Sequence, residues 1–161
     1  MSTADEAHTG TFKLQHTATM PAAKPPSRTR VTWAGEHRFD AGRASGGPTS
    51  RLDASGLTGP GPVDMLISAM AACTGIDVVD ILEKRKTPLA SLTIDVVAGR
   101  ANAIPARVTS IHLTYKVTGE VERVHVERAI DLSVTKYCSV RNSLDPNMPI
   151  EWVLELNGAR S

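Results

Sequence analysis

Hydrophobic and polar positions change period several times along the chain, and each change marks an element. Val31 and Trp33, then His37 and Phe39, flank Ala34-Gly35-Glu36. This predicts two strands joined by a turn, or one bulged strand. Residues 40–61 are crowded with Gly and Pro, loop chemistry with room for one short strand near 50–53. Pro62 stands where a helix start tolerates it, and Asp64 follows in the first turn, where a carboxylate suits the positive end of the dipole. Met65, Leu66, Ile67, Ala69, Met70, Ala71, Ala72 and Cys73 then cover every direction around the axis. A helix apolar all round is buried, so 62 to about 85 is expected to be the central helix. Beyond Gly75 the apolar set narrows to Ile76, Val78, Val79, Ile81 and Leu82, with Asp77, Asp80 and Glu83 facing out, until Pro88 stops the helix.

Leu92, Ile94 and Val96 alternate with polar residues, as do Ile111, Leu113, Tyr115 and Val117, so both stretches read as half-buried strands linked as a hairpin through 101–106. Val126, Ile130, Val134 and Tyr137 mark one face of a helix of about four turns, and Cys138 comes directly after that face. Residues 139–144 continue or restart the helix, Asp145-Pro146-Asn147 breaks it, and Ile150, Trp152, Leu154 and Leu156 alternate as a last strand. This order favours an α+β fold over a doubly wound sheet, since too few helices lie between strands for parallel crossovers. Residues 1–27, rich in Thr, Ala, His and Pro with only Phe12 and Leu14 to offer a strand, read as a flexible N-terminal leader to one domain spanning 28–161.

With 161 residues, 41% of them hydrophobic, the chain can build one core without metals or disulfides. Lys and Arg number 18 against 17 Asp and Glu, and a net charge of +1 gives no field to draw a phosphate backbone or an anionic bilayer. No nucleic acid and no membrane are expected as partners. No uninterrupted apolar run approaches the roughly 20 residues of a membrane span, and the first thirty residues lack a secretory apolar segment. A soluble, cytoplasmic protein is therefore expected.

The two cysteines stand 65 positions apart, without a Cys-x-x-Cys. Cys73, inside an apolar helix, reads by itself as packing. Cys138 could open a short helix near Lys136 and Arg141, conditions that lower a thiol pKa. The five histidines make no metal-ligand spacing with either cysteine. There is no Gly-x-Ser-x-Gly elbow, and Gly59-Pro60-Gly61-Pro62 puts prolines where a phosphate cradle needs N–H donors.

The run Gly61-Pro62-Val63-Asp64-Met65-Leu66, then Ala69 to Cys73 and Ile76-Asp77-Val78-Val79, resembles the central-helix signature of the OsmC/Ohr family of thiol peroxidases. Ala129-Ile130-Asp131-Leu132 and Lys136-Tyr137-Cys138-Ser139-Val140 resemble that family's second-cysteine helix. The likeness covers 28–157. It implies an antiparallel sheet wrapped around a long central helix in an intertwined homodimer. It also implies an oxidoreductase that needs no cofactor beyond an external thiol or dithiol reductant: Cys73 attacks an organic hydroperoxide and becomes a sulfenic acid, which Cys138 resolves as a disulfide. Leu66, Ile67 and Met70 would give the site an apolar lining. By the same resemblance Arg51 is the cation for the Cys73 thiolate. The family's orienting Glu is replaced by Val63, leaving Asp64 one step on, about 100° around the helix. Ser139 stands where peroxidase branches often have Pro, so the chain is similar to a divergent branch. Two other roles suit the same fold: a non-catalytic protein that binds a small hydrophobic ligand, and a thiol redox sensor.

Overall fold

A three-stranded antiparallel meander opens the computed structural model, which describes residues 23–160; the leader strand considered near Phe12 and Leu14 lies outside the described residues. The strands are β1 (Thr29–Trp33), β2 (Arg38–Arg43) and β3 (Thr49–Asp53). Gly35 and Glu36 both take positive φ, 89° and 51°, which turns the chain tightly enough for two strands instead of one bulged strand. Register sets Asp40 opposite Arg51.

Helix α1 (Pro62–Lys84) follows, ending one residue short of the expected limit. It has the length and apolarity of a membrane span, with mean hydropathy 1.8 over its most apolar window. Within the fold it acts as a core helix: Met70, Val78 and Leu82 have no solvent contact. Burial is one-sided, however, because Ile76 faces away from the core and remains exposed, as does Leu66 at the edge of the buried face. Within one chain the helix is covered only on the face turned toward the second sheet.

That sheet runs β4 (Ser91–Arg100), β5 (Val108–Thr118), β6 (Ile150–Leu156) and β7 (Ala159–Arg160) in spatial order. β4 and β5 form the expected hairpin, with Ile94 opposite Tyr115. β5 and β6 pair in parallel, Leu113 opposite Trp152, so the sheet is mixed. The antiparallel sheet implied by the resemblance is antiparallel at every pairing except this one. A helical segment lies between these two strands, long enough for the crossover that parallel neighbours require.

The segment comprises α2 (Arg123–Leu132), a five-residue π-turn (Ser133–Tyr137) and the single turn α3 (Ser139–Asn142). α2 lies on α1, and together they cover the sheet face that carries Leu113, Tyr115, Val117 and Leu154. Val126, Ile130 and Val134 are buried as the periodicity predicted, but Tyr137 is exposed. The π-turn is the reason: its wider turn breaks the 3.6-residue period, swinging Tyr137 outward and Cys138 inward. Gly75 permits a close contact of α1 with the sheet, since a Cβ there would lie 3.0 Å from the Ile94 side chain.

Candidate active site

Cys73 sits midway along α1, half-buried against the core, and Cys138 is completely buried at the N-terminus of α3. The fold brings the two thiols close enough to influence each other's ionisation, and neither is in a disulfide. The Cys138 sulfur lies 4.0 Å from the Met70 carbonyl and accepts the Arg141 backbone N–H at 3.3 Å. Burial pushes the Cys138 thiol up to about 11, against the lowering effect of that N–H, and the neighbouring Cys73 adds to the rise. Cys138 therefore rests as a protonated thiol. The Arg141 guanidinium turns away to the Asp145 and Pro146 carbonyls, and Lys136 lies over the Tyr137 ring. Neither cation serves the sulfur.

A chain of hydroxyls runs beside the thiols. Tyr115 donates to Thr74 Oγ1 at 2.7 Å, and Thr74 donates to the Ala71 carbonyl at 2.8 Å. Burial raises the Tyr115 hydroxyl to about 12, so it is a donor at any ordinary pH. Ser133 Oγ donates to Asp77 Oδ2 at 2.7 Å. Asp77, expected to face solvent, is instead half-buried against the π-turn, because α2 packs on that side of α1.

Arg51 is held across the meander by its register partner Asp40, through Nε and through Nη2 at 3.1 Å. The guanidinium holds the Asp40 carboxyl below its ordinary value. Asp64 caps α1, accepting the Gly61 N–H at 3.3 Å. Among the described residues neither Arg51 nor Asp64 bonds to Cys73. The path from β3 to α1 is fixed by Asp53, whose buried carboxylate accepts the backbone and hydroxyl donors of Ser55 and Thr58. Gly59 then packs directly on the Arg51 carbonyl, 2.4 Å from where its Cβ would stand. Asp40 and Asp53 are the residues that sequence reasoning passed over. Asp53-Ala54-Ser55, an Asx-turn pattern, was the available signal for the second; the first depends on strand register.

One cavity of about 390 Å³ adjoins this region, with Val63, Leu66, Ile67, Ile111 and Met148 in its wall and the Arg107–Asp145 pair, 3.8 Å apart, at its rim. Leu66 and Ile67 line it as expected, whereas Met70 is sealed in the core beneath. Leu66 is two turns before Cys73 on the same side of α1. Among the described residues no three His, Cys, Asp or Glu side chains converge to hold a metal.

The family described as OsmC-like protein matches residues 53–153. The chain is 34% identical over 131 residues to protein YhfA of Escherichia coli K12, covering 81% of this chain and 98% of that one. Among solved structures, a hypothetical protein from Aquifex aeolicus VF5 superposes with a TM-score of 0.71 at 25% identity, over 83% of this chain and 99% of that chain. An organic hydroperoxide resistance protein from Elizabethkingia anophelis superposes with a TM-score of 0.61 at 15% identity, over 84% and 99%, a likeness of fold.

Proposed function

The chain belongs to the OsmC family, and from that premise we propose that it is a cytoplasmic, two-cysteine peroxidase that reduces organic hydroperoxides in defence against oxidative stress. The observation that carries the reading is the meeting of two thiols 65 residues apart, one half-buried and one sealed. The accessible thiol suits the attacking role. The Cys73 thiolate attacks the terminal peroxide oxygen, the O–O bond breaks, and the alkoxide takes a proton and leaves as an alcohol. Cys73 is left as a sulfenic acid. Cys138 gives up its proton and attacks that sulfur, forming the disulfide and releasing water. An external dithiol restores both thiols by exchange.

Arg51 is the cation proposed for the Cys73 thiolate. Asp40 takes its Nε and Nη2 side, leaving Nη1 for a second anion, a bridging geometry that suits guanidinium better than ammonium. Asp64 steadies the start of α1. The apolar cavity favours a hydrophobic peroxide over hydrogen peroxide, and the name of the Elizabethkingia protein agrees with that class. The uncovered side of α1 supports a homodimer, in which a second copy shields Leu66 and Ile76.

The test is consumption of cumene hydroperoxide in the presence of dithiothreitol. Cys73→Ser abolishes it, and Cys138→Ser leaves a sulfenic acid on Cys73 that dimedone traps. A sulfenic acid on Cys138 in Cys73→Ser, with turnover retained, reverses the roles. Absence of wild-type turnover leaves the ligand-binding reading, which rests on the same cavity; oxidation of the thiols without turnover leaves the sensor.

A further inference from the structure

We propose that Ser133 and Asp77 are positioning residues that set Cys138 against Cys73, the π-turn between α2 and α3 serving as the register device for disulfide closure. The inference rests on the two-cysteine reading above. Cys73 and Asp77 are four residues apart on α1, one turn along the same side. Ser133 begins the π-turn and Cys138 caps its end, joined by the Cys138 N–H bond to the Ser133 carbonyl at 2.9 Å. The Ser133–Asp77 bond of 2.7 Å therefore ties the two elements one turn along from the point where the two thiols come near each other. The Thr74 carbonyl, 3.3 Å from the same hydroxyl, closes the ring around a fully buried Ser133.

The angle turned per residue accounts for this arrangement. In an α-helix the five steps from 133 to 138 turn the chain about 500°, leaving Cys138 about 140° around the axis from Ser133. If Ser133 faced α1, Cys138 would then face away. Bonding from i to i+5 widens the turn and returns Cys138 to the side of Ser133. Tyr137 takes the outward position instead. The Ser133 hydroxyl fixes which residue begins the wide turn, and so fixes which residue arrives at Cys73.

The measurement is the equilibrium of the protein dithiol with glutathione. The Cys73 thiolate attacks one sulfur of oxidised glutathione and displaces one glutathione thiolate. The deprotonated Cys138 then attacks the Cys73 sulfur and displaces the second. The protein disulfide replaces the glutathione disulfide, two reduced glutathiones form, and no peroxide takes part. The equilibrium constant is an effective concentration of one thiol at the other, the quantity that positioning raises. It is read by alkylation and mass spectrometry in wild type, Ser133→Ala, Asp77→Ala and Asp77→Asn.

The expected result is a fall of about tenfold or more in Ser133→Ala and Asp77→Ala. Asp77→Asn keeps an oxygen for the Ser133 hydroxyl and stays close to wild type, and the double alanine variant falls no further than either single one. Variants that melt earlier but close their disulfide as readily as wild type reduce the pair to ordinary packing and overturn the proposal. A wild-type chain that forms no Cys73–Cys138 disulfide in oxidised glutathione overturns it as well. Should Ser133→Ala not fold, Asp77→Ala, which trims a half-buried side chain, decides alone. Failure of the peroxidase reading is separate: it is a wild-type disulfide that closes with glutathione while cumene hydroperoxide is not consumed.

Discussion

Cys138 is a weak acid because of where it lies, and its surroundings give it a pH signature. Its ordinary ionisation near 8.5 rises to about 11 through burial and the neighbouring thiol. The unfolded chain therefore ionises first as pH rises. The stability this contributes is fully present below about 8.5 and is lost as pH climbs toward about 11. Urea midpoints measured across that window should fall in wild type, with a shallower slope in Cys138→Ala. Arg51 carries a second expectation: Arg51→Ala slows iodoacetamide alkylation of Cys73 at neutral pH by about tenfold, while Asp64→Ala gives a smaller loss. An unchanged rate in Arg51→Ala removes the arginine from the site. At this scale the cysteines were legible because their residue type carries chemistry and their flanking residues match a family pattern. Asp40 was not, because a cross-strand partner is decided by the length of the turn between β2 and β3, which no local period records.

The helices and strands came through where one face is buried and the period is clean, as in β4, β5, β6 and most of α1. Two features broke the pattern. The π-turn has a period of its own, so a 3.6-residue count carried Tyr137 to the wrong side. The parallel pairing of β5 with β6 is set by where α2 returns the chain, a tertiary outcome that alternation within a strand leaves open. The link from β3 into α1 yields a prediction of its own. Four donors from Ser55 and Thr58 hold the Asp53 carboxyl far below the usual carboxylate range. Its stabilising effect is complete above the unfolded value of about 3.9 and is lost as pH falls toward the folded one. Thermal melts of wild type between neutral pH and pH 3 should show this acid limb. Asp53→Asn, whose amide faces donors with a donor, melts earlier at neutral pH and shows a flatter limb.

Taken whole, the chain buries one side of α1 and leaves Leu66, Ile76, Trp33 and Val31 to solvent, a distribution suited to an obligate dimer. Sedimentation should give a dimer at micromolar concentration, and Ile76→Glu should weaken it by about 30-fold or more, the effect of losing one contact of about 2 kcal/mol. A stable wild-type monomer would count against the assembly. The crossover that joins β5 to β6 also orders events during synthesis. By the time residue 118 leaves the ribosome, β4 and β5 can pair as a hairpin from neighbouring sequence. The far edge of β5 must then wait, its amides and carbonyls unpaired, until residue 156 has emerged. Ile111, Leu113, Tyr115 and Val117 make that waiting strand strongly apolar along one side. Open strands of this kind recruit other chains, so chains truncated between residues 118 and 150 and released from the ribosome should aggregate, whereas the full chain should stay soluble.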